Sequence, residues 1–228
     1  MLIHEWMSKD VLTMESTCSI QEAIELFHTR IISMIPVFEK RKLVGVITDG
    51  DIKKASPSDV TSLSKFEIPA ILGKEKVETI MSKPVITVRS NYTVPEAAHI
   101  MLSSGINGLP TVDRYNNLVG IITKSDIFRC IVSFMGASDN SQIFGFMLKD
   151  EPGMIKRITD RIREGGGRIG SVMTTYDKDK DNRRKIFIYA FGMEQATYEM
   201  LSEEYRNKEC LLYAADLPRR IRELYSYI

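Results

Sequence analysis

The chain has 228 residues, 43% of them hydrophobic and 27% charged, enough apolar material for one large core or two smaller ones. Its formal net charge is +1, so bulk electrostatics attract it neither to nucleic acid nor to an acidic membrane. No run approaches the roughly 20 apolar residues of a membrane span, no signal-peptide pattern is visible, and the three cysteines (Cys18, Cys130, Cys210) and three histidines (His4, His28, His99) are scattered. These features argue against a disulfide framework, a structural zinc site or a histidine-based catalytic dyad, and the expectation is a cytoplasmic protein.

An internal repeat organises the first half. Residues 7–39 lie over 81–113, and 43–54 over 118–129, with 17 of 45 aligned positions identical. Met7-Ser8-Lys9 matches Met81-Ser82-Lys83, and Leu43 to Ile52 matches Leu118 to Ile127. In chain order, each copy opens with a short apolar stretch that reads as a strand, Val11–Met14 and then Val85–Val88. Apolar residues at i, i+3, i+4 and i+7 follow: Ile20, Ala23, Ile24 and Phe27, and in the second copy Val94, Ala97, Ala98 and Met101. That spacing predicts an amphipathic helix, with Ser19 and Thr93 as N-caps and Pro95 near the first helical position. Two strands joined by a polar turn come next, Met34–Phe38 with Leu43–Thr48 and Leu109–Val112 with Leu118–Thr123. A last helix opens at Thr48-x-x-Asp51 and at Thr123-x-x-Asp126. The unit is β-α-β-β-α, about 50 residues, too small to stand alone easily, so the two copies should pack on each other. Ala55–Thr79, with Ser56-Pro57-Ser58 and then Leu63, Phe66 and Ile71-Leu72, reads as a turn and a short helix that fastens the pair.

The second half follows another pattern. Ile143–Leu148 reads as a strand, Lys149 to Gly153 as a turn, and Ile155, Ile158 and Ile162 as a helix face ended by Gly165-Gly166-Gly167. Ile169–Tyr176 and Lys185–Phe191 read as a hairpin, Met193–Tyr205 as a helix and Cys210–Ala214 as a last strand, giving βαββαβ, the order of a ferredoxin-like domain. Arg219-Arg220-Ile221-Arg222 reads as a short basic helix or fray. The triple glycine lacks the Lys-Ser/Thr of a phosphate-binding loop. Asp177-x-Asp179-x-Asp181 lacks the glycine and distal glutamate of a calcium loop and reads as a solvated hairpin tip.

The tandem unit resembles a pair of cystathionine-β-synthase-type (CBS) domains. The resemblance rests on Gly45…Thr48…Asp51 and Gly120…Thr123…Asp126, with Pro36 and Pro110 in the preceding strands, and covers roughly residues 5–133. Asp150-x-Pro152-Gly153-x-Ile155 with Gly165…Ile169 resembles an ACT domain, a regulatory module that often binds amino acids. The layout, and the run from Asp49 to Ser58, resemble the acetoin-utilisation-type CBS–CBS–ACT proteins of bacteria. The expected class is α+β with α/β elements: a first CBS domain over 1–60, a linker helix and second CBS domain over 61–137, and an ACT-like domain with a tail over 138–228.

The CBS resemblance implies adenine-nucleotide sites between the paired domains. A threonine that ends a strand and opens a helix offers its hydroxyl, with the first helical N–H groups, to an anion. A carboxylate three residues on can accept both ribose hydroxyls. Carried over, the first site would use Val11, Arg30, Ile32, Ser33, Met34, Val46, Thr48 and Asp51. The second would use Val85, Ile106, Asn107, Gly108, Ile121, Thr123, Lys124 and Asp126, with Ser104 where the first copy has the basic Arg30. Lys124 beside the phosphates would favour ATP, and Asp49 would favour AMP. On its own Thr-x-x-acid is also a capping box, which only starts a helix. The ACT resemblance implies an amino acid held at Asp150, Gly153 and Met154. No Ser-His-Asp, Cys-His or metal constellation points to an enzyme. The reading is a regulatory sensor that requires no cofactor. AMP, ADP, ATP or a related adenosine ligand would be its effector, self-association would give a homodimer or larger assembly, and a separate protein would be its target. A ligand-free scaffold is the alternative.

Overall fold

The computed structural model describes residues 1–55, 73–136, 140–175 and 181–225. The expected turn and helix around Ser56, Leu63 and Phe66, and the hairpin tip at Asp177 and Asp179, lie outside the described residues. The chain divides into two compact units, Met1–Cys130 and Ile131–Ile228.

In the first unit the two repeats build the same three-stranded sheet. The first contains β1 (Met14–Glu15), β2 (Met34–Glu39) and β3 (Lys42–Thr48), the second β4 (Val88–Arg89), β5 (Gly108–Val112) and β6 (Leu118–Thr123). Each opening strand is shorter than the sequence suggests and runs parallel to the middle strand, whose other neighbour is antiparallel. The registers coincide: Met34 faces Thr48 and Pro36 faces Val46, as Gly108 faces Thr123 and Pro110 faces Ile121. β1 reaches only Val37 and Phe38, so Pro36 has a strand on one side alone, where a missing N–H is tolerated.

The helices start where the caps predict. Helix Ile20–Thr29 is capped by Ser19 and helix Val94–Ser104 by Thr93, each completed as a capping box by Glu22 or Glu96. The Glu22 carboxylate accepts the Ser19 backbone N–H at 2.7 Å, and Glu96 accepts that of Thr93 at 2.7 Å. These bonds hold both carboxyls below the usual range, chiefly the Ser19 backbone bond for Glu22 and the Thr93 hydroxyl for Glu96.

The repeats exchange their leading segments. Residues 1–8 precede the first copy in sequence but complete the second. Ile3, in the short helix Ile3–Trp6, is fully buried among Val88, Val94, Ala97, Met101, Leu109 and Ile122. Its burial is worth about 1.5–3 kcal/mol. Ser8 and Ile121 exchange backbone hydrogen bonds of 2.9 and 3.0 Å. Reciprocally, Val77, in the 3-10 turn Val77–Thr79, is fully buried in the first-copy core with Ile20, Ile35 and Ile47. Ser82 and Val46 exchange bonds of 2.9 and 3.2 Å. Two glycines admit the crossing chains: a Cβ on Gly45 would stand 2.3 Å from the Met81 sulfur, and one on Gly120 would stand 2.5 Å from the Met7 sulfur.

The second unit is a five-stranded antiparallel sheet ordered β11-β10-β7-β9-β8. The strands are β7 (Ser141–Lys149), β8 (Arg168–Thr174), β9 (Arg183–Phe191), β10 (Leu211–Asp216) and β11 (Ile221–Leu224). Helices Met154–Glu164 and Gln195–Asn207 fall in the β-α-β-β-α-β order expected. Alternate residues of β7 and β9 (Phe144, Phe146, Ile186, Ile188) pack in one core with Ile158 and Ile162 of the first helix and Tyr198, Leu201 and Tyr205 of the second.

The basic tail is the main correction to the sequence reading. It forms no helix: Ile221–Leu224 pairs antiparallel with β10. The chain reverses after Asp216, whose fully buried carboxylate accepts the Arg219 backbone N–H at 3.3 Å and pairs with the Arg219 guanidinium. Arg220 follows at φ 58°, and β11 covers what would otherwise be an open edge of β10.

Candidate functional site

The strand ends bring most of the first set of predicted residues together. Arg30, Ile32, Ser33, Met34 and Thr48 line a cavity of about 760 Å³ with Asn107 and Gly108 of the other repeat. Phe27, Ile31, Asp49 and Lys53 also line it. The repeats meet here at Gly108 and Met34: a Cβ on Gly108 would stand 3.5 Å from the Met34 methyl, an ordinary van der Waals distance. Val11 and Val85 fall elsewhere, in a separate cavity of about 1030 Å³ beside the β2–β3 and β5–β6 hairpins. The crossing explains this. Each follows an exchanged segment, Met7-Ser8-Lys9 or Met81-Ser82-Lys83, so neither forms a wall with the β2 or β5 start of its own repeat.

Thr48 and Asp51 form the expected capping pair at the start of helix Asp49–Ala55, as Thr123 and Asp126 do at helix Lys124–Met135. One carboxylate oxygen of Asp51 accepts the Thr48 N–H at 2.9 Å and its hydroxyl at 2.7 Å. The same oxygen of Asp126 accepts from Thr123 at 2.8 and 2.7 Å. The second oxygens differ. That of Asp51 accepts the Ser82 hydroxyl at 3.1 Å, from the segment contributed by the other repeat. That of Asp126 is held by the Arg129 guanidinium, which also reaches the Trp6 carbonyl at 3.4 Å. Asp51 is half-buried and Asp126 buried.

The surrounding charge is also unequal. Asp49 is exposed and paired with Lys53 at 2.5 Å. Lys53 neutralises Asp49 through this pair, and Arg30 is a further cation in the lining of the first cavity. Lys124 is half-buried at the first position of its helix, and its N–H is donated to the Asn107 carbonyl at 2.9 Å. Val46 and Ile121 sit on β3 and β6 as the strand partners of Ser82 and Ser8, and Ile106 packs against the second-copy core.

Ser82, Lys53 and Arg129 were missed by the sequence reading. The i+3 spacing of Arg129 from Asp126 was a legible signal. Ser82 was visible only as half of the matched Met-Ser-Lys pair.

In the second unit, Gly153 takes φ 83°, a conformation open to glycine, and precedes helix Met154–Glu164 without any side-chain cap. Asp150 is tied to Arg184 of β9 at 2.5 Å, and the Met154 N–H is donated to the Glu151 carbonyl at 3.3 Å. Among the described residues no three metal-ligating side chains gather, and no helix is long and apolar enough to cross a membrane.

A doubled β-α-β-β-α unit with a Thr-x-x-Asp pair at the end of each sheet defines a tandem-domain architecture. The chain belongs to the CBS domain family, whose domain matches residues 3–58 and 77–133. An uncharacterised protein of Methanocaldococcus jannaschii is 32% identical over 155 residues, 58% of this chain and 92% of that protein. The L-aspartate semialdehyde sulfurtransferase of the same organism is 34% identical over 129 residues, 56% of this chain, but the chain spans only 23% of that enzyme. A solved CBS domain pair, of protein MJ0100 with 5′-methylthioadenosine and S-adenosyl-L-methionine, is 33% identical. It covers 57% of this chain and 95% of its own, with a TM-score of 0.48.

Proposed function

We propose that this protein is a non-enzymatic sensor whose first unit binds an adenosine ligand (AMP, ADP, ATP or a relative) and thereby biases a conformation read by a separate protein. The observation that carries the reading is the 760 Å³ cavity at the strand ends, a size suited to one nucleotide. Phe27, Ile32 and Met34 offer apolar faces to a base. Arg30 and Lys53 offer charge to phosphates, and Thr48 offers its hydroxyl. Asp51 and Asp126 would accept ribose hydroxyls through the oxygens now facing Ser82 and Arg129. A ligand that prefers one arrangement shifts the equilibrium toward it, and the exchanged segments give both repeats a share in each site.

The second unit is read as an ACT-like, ferredoxin-like domain. Its β10-β7-β9-β8 order supports that topology, and Gly153 at an uncapped helix start supports an amino-acid carboxylate held by backbone N–H groups near Asp150 and Met154. The relatives described above are archaeal, so a bacterial acetoin context rests on resemblance alone. Self-association to a homodimer belongs to the same reading.

A ligand-free scaffold is the second reading, favoured by one observation: both aspartates already have partners for both oxygens. Mass spectrometry of what co-purifies, with thermal unfolding in AMP and ATP, separates the two. A sensor carries an adenosine compound or gains stability by mass action, and a scaffold does neither.

A further inference from the structure

The 1030 Å³ cavity at the hairpin end of the first unit belongs to neither Thr-x-x-Asp pair. Its walls come from both repeats, and three cations line it, Lys9, Arg41 and Lys42, against one carboxylate, Glu15. None of these cations makes an ion pair among the described residues. Phe38 and the exposed ring of Tyr115 add flat apolar surface.

The turn that presents the cations breaks a local rule. Glu39 pairs with Lys42, leaving Lys40 and Arg41 as a two-residue hairpin loop at φ 48° and 67°. A type I′ turn requires positive φ at both positions and strongly favours Asn-Gly, because side chains are strained there. The equivalent turn of the second repeat uses Asn116 at φ 65° and stabilises itself through Asp113, whose carboxylate accepts the Tyr115 and Asn117 N–H groups at 2.8 Å. The first repeat instead holds two long cationic residues in the strained positions, and one of them lines the cavity. Departures of this kind concentrate at functional sites.

We propose that this cavity is a third ligand site, for a small molecule carrying a chain of phosphates, distinct from the two Thr-x-x-Asp clefts. Arg41, Lys42 and Lys9 would hold the phosphates, and Tyr115 and Phe38 would cover whatever apolar group is attached.

The test is calorimetry at low salt on the full chain carrying Asp51→Ala and Asp126→Ala, with inorganic triphosphate and ATP as separate probes. Triphosphate should still bind, and more weakly as salt rises. ATP binding more tightly than triphosphate supports the cover by Tyr115 and Phe38, and equal affinity overturns that part of the proposal. In that background, Lys40→Asn with Arg41→Gly should weaken triphosphate binding at least tenfold while raising the thermal midpoint by about 2–4 °C, since it installs the preferred turn pair. Lys9→Gln with Lys42→Gln should weaken binding as much without moving the midpoint. Triphosphate that does not bind the Asp51→Ala, Asp126→Ala chain, or binds both further variants as tightly as that chain, overturns the proposal.

Discussion

Gly45 and Gly120 make the segment exchange measurable. The three atoms nearest a Cβ at Gly45, at 2.3, 2.8 and 3.2 Å, are all side-chain atoms of Met81, a flexible residue. A Cβ at Gly120 would meet the Met7 sulfur at 2.5 Å and also the Ser8 carbonyl oxygen at 2.9 Å. That carbonyl is fixed by its 3.0 Å bond from Ile121. Overpacking costs about 1–3 kcal/mol. Gly45→Ala belongs near the lower end, because Met81 can swing away, and Gly120→Ala near the upper end, because backbone must move. Urea unfolding followed through Trp6, the sole tryptophan, reports on the first unit directly. Adding Met81→Ala to Gly45→Ala should recover about 1 kcal/mol as coupling energy. Adding Met7→Ala to Gly120→Ala should recover only part of its cost. The crossed pairs, Gly45→Ala with Met7→Ala and Gly120→Ala with Met81→Ala, should be additive within about 0.5 kcal/mol. Coupling of Gly45 to Met7 instead of Met81 would mean that each segment packs on its own repeat, and the reasoning would fail.

Three further outcomes are expected. Lys124→Asp should lower ATP affinity about tenfold more than AMP affinity, with the gap closing at high salt, as calorimetry at two ionic strengths would show; an equal effect would place the side chain away from the phosphates. Because the Glu22 and Glu96 carboxyls are held low by their capping bonds, their contribution to stability is present above about pH 4.3 and is lost as pH falls through the depressed values. The thermal midpoint should therefore drop in acid, and Glu22→Gln with Glu96→Gln should flatten that drop; an unchanged slope would count against it. Light scattering at micromolar concentration should give at least twice 26.0 kDa, and a monomer would contradict the proposed self-association.

Much of the architecture was legible because local chemistry and pattern agree. Ser19 with Glu22 and Thr93 with Glu96 announced two helix starts, and the β5–β6 strands were readable almost to the residue. The exchange was not legible. Met7-Ser8-Lys9 and Met81-Ser82-Lys83 align equally well whichever sheet they complete, and only three-dimensional packing chooses. The same blindness did not foresee that Val11 and Val85 line a cavity apart from Met34 and Gly108, and it hid Ser82 from Asp51. The tail misled for another reason. Its arginines suggested a short basic helix or fray, whereas a buried Asp216 on another strand fixes the reversal that makes it a strand.

The central claim, an adenosine ligand held beside the two Thr-x-x-Asp pairs, is tested most directly by titrating AMP and ATP into the wild-type chain, Asp51→Ala and Asp126→Ala by calorimetry. Each aspartate removes a charged acceptor worth about 1.5–3 kcal/mol, so each variant should lose about 10- to 100-fold in affinity at one cleft and keep the other. Wild-type affinity and stoichiometry in both single variants would contradict the account.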